Sequence, residues 1–173
     1  MADVKPIVNY AGVTKEIVTG DTVPFANLNL VGSFIGKTIV KSKTADETVT
    51  TSTTLQNDDD LVIPIGANEE MDGFLIAQAV FGAGNGKIAF TVPSGCTITM
   101  TGTISSGGFA SADGTTAKSL AITLTTSSYF TLMITVRNGA NAGNIQFQFA
   151  QNTSNAAATT FKKDTKFLLT RTA

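Results

Sequence analysis

Histidine and tryptophan are absent from this 173-residue sequence, cysteine occurs once, at Cys96, and proline occurs four times. Without histidine there is no Ser-His-Asp or Cys-His nucleophile system, no histidine-bound metal and no imidazole base titrating near neutral pH. A lone cysteine rules out an internal disulfide framework and a cysteine-rich zinc site. Charge is scarce as well. Lys, Arg, Asp and Glu make up 14% of the chain, against about 25% in ordinary globular proteins. The formal charge of −1 and the pI near 5.3 give no electrostatic reason to expect nucleic acid or an anionic membrane as a partner. No apolar run approaches the roughly 18 residues of a membrane span, and "MADVKPIVNY" has no signal-peptide hydrophobic region, so the expectation is a chain made without export.

Threonine, asparagine, serine and glycine fill the place of the missing charge, while apolar residues hold an ordinary 42%. Such a surface is neutral and adhesive, and suits a protein covered by neighbouring subunits. The length suits one domain with a small appendage; a domain of this size buries roughly 70% of its unfolded surface and needs no staples.

The apolar residues fall with a period of two. "FTLMITVRN" puts Phe130, Leu132, Ile134 and Val136 on one face, and Thr131, Thr135 and Arg137 on the other. "NIQFQFA" alternates Ile145, Phe147 and Phe149 with Gln146 and Gln148. "SLAITLTT" (Leu120, Ile122, Leu124), "GKIAFTV" (Ile88, Phe90, Val92) and "CTITMT" (Ile98, Met100) repeat the pattern. Alternation of this kind marks strands with one buried face, and the abundant threonine and β-branched residues favour a pleated surface. "GFLIAQAVF" (73–81) is apolar on both faces and reads as a central strand. No stretch carries a 3.6-residue stripe; "NTSNAAATTFKKDTKF" allows at most a short helical turn. "FGAGNGK" and "RNGANAGN" read as tight hairpins, the second with Asn138-Gly139 suited to positive φ. "TGTISSGGFASADGTTA" (101–117) is a longer polar loop. The prediction is an all-β fold, an antiparallel β-sandwich of jelly-roll type.

The first residues differ. Short strands at Pro6–Asn9 and Val13–Val18 turn at Tyr10-Ala11-Gly12, and "GDTVPFANLNLVGSFIGK" then loses any clean period. A lone two-stranded hairpin is marginal in water. Residues 1–36 are therefore expected to form a hairpin docking segment, and residues 37–173 the sandwich.

Few residues invite chemistry. In "TLQNDDDLVIPIGANEE", Asp58, Asp59 and Asp60 read as a turn between strands, because Asp caps nearby backbone groups and charge beside an apolar strand discourages edge pairing. Calcium is the lesser alternative: it needs six to eight oxygens from a wrapping loop, and three consecutive side chains do not converge. Nor does the triplet supply two carboxylates opposed across a cleft, as glycoside hydrolysis requires. Leu61, Ile63 and Ile65 then begin a strand. Glu69, Glu70 and Asp72 read as a solvated turn, with cation binding the lesser alternative, and Lys162, Lys163 and Lys166 as a solvated loop, with docking to an acidic surface as the alternative. Gly82, Gly84 and Gly86 precede a strand, so they lack the helix that a phosphate cradle needs. Cys96 reads as a small buried residue. "NTS" at Asn152 has no meaning as a glycosylation signal in a chain that is not exported. Tyr10, Phe25, Phe34 and Phe109 are the interface candidates, since aromatics outside a strand core often anchor subunit contacts. Nothing implies a cofactor or catalytic residues.

"KPIVNYAGVTKEIVTGDTVP" resembles the opening of many bacteriophage virion proteins, in which a short hairpin with a "GDTVP"-like turn recurs. "TVTTSTTLQNDDDLVIPIGANE" followed by "GKIAFTVPSG" is similar to a β-sandwich module of phage fibre and decoration proteins. The resemblance covers residues 5–23 and 39–95, about half the chain. It implies a non-enzymatic virion subunit, commonly trimeric, assembled in the bacterial cytoplasm and bound to the major capsid protein or other virion proteins. A capsid decoration, cement or head-fibre role is the first expectation. A tail-fibre adaptor or receptor-binding module for host glycans, with Phe109 in its loop, is the alternative. The resemblance carries no shared active site.

Overall fold

A computed structural model describes residues 7–10, 13–16, 35–104, 112–114, 118–122 and 128–173, with side chains over 35–102 and 129–173. The chain divides into two compact units, Met1–Gly32 and Ser33–Ala173. In the first, β1 (Ile7–Tyr10) pairs antiparallel with β2 (Val13–Glu16), the hairpin that the sequence predicts.

The second unit is an antiparallel β-sandwich, and its described residues contain no helix. Its strands are β3 (Thr38–Ser42), β4 (Glu47–Val49), β5 (Gln56–Ile65), β6 (Glu70–Phe81), β7 (Gly86–Thr91), β8 (Thr97–Ile104), β9 (Ala112–Gly114), β10 (Lys118–Ile122), β11 (Ser128–Arg137), β12 (Gly143–Gln151), β13 (Thr159–Phe161) and β14 (Lys166–Arg171). The small sheet runs β10-β7-β12-β5 and the large one β3-β14-β6-β11-β8-β9, with β4 joined through β13. β6 lies centrally, as its two apolar faces predict. Both β13 and β14 pair with it, at Phe81–Ala79 and at Ile76–Met71 respectively, as one strand interrupted by residues 162–165.

The core lies between the sheets. Of the residues that the alternation assigns inward, Phe130, Leu132, Ile134 and Val136 from the large sheet and Ile145, Phe147 and Phe149 from the small one are buried, and Val92 is half-buried; the side chains of Leu120, Ile122 and Leu124 lie outside the described residues. Leu61, Ile63, Ile65, Ile88, Phe90, Ile98, Met100 and Cys96 join them. Phe161 bridges the sheets, its ring centroid 6.1 Å from those of Phe81 and Phe130, 5.1 Å from Phe147 and 4.8 Å from Phe149. Offset and edge-on rings at such separations add about 0.5–1.5 kcal/mol per pair to the burial itself.

Several local expectations need correction. The stretch "GAGNG" is not a hairpin, because β6 belongs to the large sheet and β7 to the small one. "RNGANAGN" likewise carries the chain from β11 to β12, between sheets. Glycine and asparagine supply the same tight reversal whether or not the flanking strands pair with each other. Positive φ falls at Asn85, φ 56°. Asn138 instead uses its side-chain amide, which donates to the carbonyls of Gly66 at 2.6 Å and Asn141 at 2.8 Å. Glu70 and Asp72 lie within β6 and Glu69 is buried, so these three are not a solvated turn. Glu69 Oε2 accepts the Gly66 N–H at 2.8 Å. Lys162 belongs to a loop but is paired, with Asp46 at 2.7 Å.

The aspartate triplet is the largest correction. Asp58, Asp59 and Asp60 sit inside β5 and form no turn between strands. Opposite them the register of β12 jumps, from Gln146 facing Val62 to Gln148 facing Asn57, so residues 58–61 bulge from the ladder. A bulge leaves backbone groups without ladder partners. Asp58 Oδ1 accepts two of them, the N–H groups of Asp60 (3.0 Å) and Leu61 (2.9 Å). The Gln146 amide donates to the carbonyls of Asp58 (2.8 Å) and Leu61 (3.4 Å). Aspartate does cap here, but within a strand. β5 is also the strand with an internal proline, Pro64, which an edge position tolerates because no second ladder needs its N–H.

Candidate functional site

The outer face of the large sheet carries a row of apolar side chains straight across four strands. Val40 of β3 pairs with Leu168 of β14, Leu168 with Phe74 of β6, and Phe74 with Met133 of β11. Val40 is 55% exposed, Phe74 40% and Met133 50%. Ile76 lies two residues along β6, and exposed Tyr129 faces Gln78 in the row beyond. Apart from Ile76, the neighbouring rows are polar. One reads Thr38, Thr170, Asp72, Thr135 and Thr99 across the strands; another reads Ser42, Lys166, Ile76 and Thr131. Asp72 is paired with Arg137 at 3.0 Å. The band is thus apolar at its centre and hydroxyl-rich at its margins, the composition of an association surface with a polar rim.

A second cluster is buried. Lys43, just beyond β3, places its Nζ 2.5 Å from Asp58 Oδ2 and 2.7 Å from Glu47 Oε2. The side chains of Lys43 and Asp58 are 1% and 0% exposed. Glu47 Oε1 in turn accepts from Gln56 Nε2 at 3.3 Å. Burial by itself would lower the Lys43 pKa, but its hydrogen bonds to Asp58 and Glu47 outweigh it and hold the pKa above its ordinary value. Burial pushes the Glu47 carboxyl up, against the pull of Lys43. Asp60 faces the other way and accepts the Thr44 N–H at 2.7 Å, which holds its carboxyl below the ordinary range.

The three aspartates therefore point to different partners: Asp58 inward to Lys43, Asp60 to Thr44, and Asp59 to solvent. Among the described residues no group of three His, Cys, Asp or Glu side chains is placed to hold a metal ion. Cys96 is buried and its thiol pKa raised by that burial, the opposite of an activated nucleophile. An open cleft of about 380 Å³ lies over Ile39, Met71 and Pro64, with Lys37, Glu69 and Arg171 in its wall. Arg171 Nη1 stands 3.4 Å from Glu69 Oε1, so the cleft's guanidinium already faces a carboxylate of its own chain.

Of the interface candidates, Phe25, Phe34 and Phe109 lie outside the described residues, and Tyr10 is described in its backbone alone, as the end of β1. The residues that do form an exposed apolar surface were readable in part. Met133 stands between Thr131 and Thr135 on the polar face of its strand, and "GFLIAQAVF" is apolar on the wrong face as well as the right one. Lys43 and Glu47 left no signal, because a lysine and a glutamate four apart in a polar stretch look like any solvated pair.

The chain matches no protein-family model, no curated protein and no solved structure.

Proposed function

We propose that the chain is a non-enzymatic bacteriophage virion surface protein, a trimeric capsid decoration or head-fibre subunit that binds and reinforces the particle through subunit interfaces. The observation that carries this reading is the apolar row Val40, Leu168, Phe74 and Met133 on the outer face of the large sheet. Scattered surface hydrophobics are ordinary, whereas a contiguous band with a polar rim marks an interaction site. Covering these partly exposed side chains contributes on the order of 1 kcal/mol apiece. Repeated over the copies on a particle, that sum adds to the stability of the assembled shell. The low charge and the threonine-rich surface suit a subunit surrounded by neighbours, and the likeness of residues 5–23 and 39–95 to virion proteins supplies the setting, with the major capsid protein as the surface beneath.

Gold-labelled antibody raised against the chain, applied to intact particles of the phage that encodes it, tests the reading. Label spread over the head is the expected result. Label confined to the tail would favour a fibre or adaptor module that binds host glycans, and unlabelled particles would overturn a surface role. Reinforcement has its own check: particles lacking the protein should release DNA at a lower temperature than complete ones.

A further inference from the structure

The geometry around Lys43 points to a reaction as well as an ion pair: we propose that Lys43 Nζ and Asp58 Cγ join in an intramolecular amide cross-link that the chain forms on itself, with Glu47 carrying the protons. The proposal goes beyond the virion reading and does not depend on it.

Three features of the cluster exceed what an ion pair requires. The first is the burial of the reacting atoms, with Lys43 and Asp58 at 1% and 0% side-chain exposure. Water competes poorly there, both as a nucleophile and as a solvent for the ions, and a neutral amide removes two charges from a place where charge is costly. The second is the division of labour between the two oxygens of Asp58. Oδ2 faces the lysine at 2.5 Å, while Oδ1 accepts two backbone N–H groups, from Asp60 at 3.0 Å and Leu61 at 2.9 Å. Two fixed N–H donors on one oxygen are what an oxyanion needs as a carbonyl carbon becomes tetrahedral. The bulge of β5 supplies both, so Asp58 is held with one oxygen stabilised and the other facing the nucleophile. The third is a second carboxylate on the same nitrogen. Glu47 Oε2 lies 2.7 Å from Nζ, within reach for proton transfer, and its carboxyl is made more basic by burial.

The atoms balance without a further reactant. Lys43 enters as an ammonium and Asp58 as a carboxylate. One proton passes from Nζ to Glu47, freeing the nitrogen lone pair. Nζ attacks Cγ, the C–N bond forms, and the negative charge gathers on Oδ1 under the two N–H groups. The tetrahedral centre collapses by breaking its bond to Oδ2. That oxygen leaves as water, taking the proton held by Glu47 and a second one from the nitrogen. One C–N bond replaces one C–O bond, nothing is oxidised or reduced, and Glu47 is returned unchanged. Holding amine and carboxylate in contact converts a bimolecular condensation into an intramolecular one.

Mass spectrometry of the purified full chain under denaturing conditions tests this. The expected mass is lighter than the sequence mass by one water, about 18 Da. A cyclised aspartate would lose the same mass, so a tryptic digest locates the bond. With a free lysine, trypsin cuts after Lys43; with the cross-link, that cut is blocked and fragment 42–87 is recovered intact, one water light. The full sequence mass together with free cleavage at Lys43 would overturn the proposal. Glu47→Gln keeps the side chain's size and removes the proton acceptor. It is expected to leave at least a tenfold excess of uncross-linked chain at early times, and cross-linking at the wild-type rate would overturn the part given to Glu47. The wild-type measurement stands even where that variant fails to fold.

Discussion

Phe161 meets Phe147 edge-on, ring centroids 5.1 Å apart, and so ties a three-residue strand of the large sheet to the middle of the small one. Three further rings surround it, Phe81, Phe130 and Phe149. Its replacement by alanine leaves a void that both sheets line. Phe161→Ala is expected to cost about 3–5 kcal/mol, and Phe161→Leu well under half of that, because leucine refills most of the volume. Urea denaturation followed by circular dichroism reads both; equal losses would show that the site collapses freely and that the ring is not the tie between sheets.

Met133 tests the outer face. Met133→Lys sets a charge at the β11 end of the apolar row, where the side chain is 50% exposed. Folding stability should change by less than about 0.5 kcal/mol, as for most surface substitutions, while the oligomer that the proposed function calls for is expected to be lost by light scattering. An unchanged oligomer would move the interface elsewhere on the molecule.

Asp60 gives a pH dependence. Its carboxyl is lowered from an ordinary value of 3.8, first by the Thr44 N–H and then by that residue's hydroxyl. A carboxyl with a depressed folded pKa contributes stability above its unfolded pKa and loses it as the pH falls through the folded one. The contribution is therefore present at neutral pH and fades below 3.8. Melting temperatures measured from about pH 5 down to about pH 2 should fall less steeply in Asp60→Asn than in the wild type. Parallel acid limbs would mean that the Thr44 contact contributes nothing in solution.

Thr51 is a β-branched residue with φ 51°, held in the left-handed region by its N–H bond to the Asn155 carbonyl at 2.9 Å. Asparagine tolerates that conformation far better. Thr51→Asn should raise stability by about 0.5–1 kcal/mol, read as a higher urea midpoint with an unchanged slope; a lower midpoint would assign the threonine side chain a role that its surroundings do not display.

The sequence made the strands legible and left their partnership obscure. Phe130 to Val136 and Ile145 to Phe149 announce which way they face, because alternation is a local property of a pleated chain. Whether Gly82 to Asn85 closes a hairpin or an arch between sheets depends on strands far away in sequence, and the turn residues are the same for both. Asp58 illustrates the limit. Its capping of the backbone was readable from its type, but its burial depends on Lys43, fifteen positions earlier, and on Gln146 across the bulge. Phe74 and Ile76 were visible as a second apolar face, yet composition does not separate a strand covered by its own chain from one left open to a neighbour.

The threonine margin around the apolar row has a kinetic consequence. Oγ atoms of Thr38 and Thr170 lie 2.7 Å apart and satisfy each other, and the row's nearest acid, Asp72, is matched by Arg137. Apart from Lys166 in the neighbouring row, the face presents little unbalanced charge, and so has only a weak long-range field with which to draw a partner in. Encounter then proceeds at the unsteered rate of about 10⁵–10⁶ M⁻¹s⁻¹, nearly indifferent to ionic strength. Under the proposed surface role, a correctly seated subunit is then selected by how slowly it leaves, and chilling, which weakens apolar burial, should shorten that residence time relative to a salt-bridged contact.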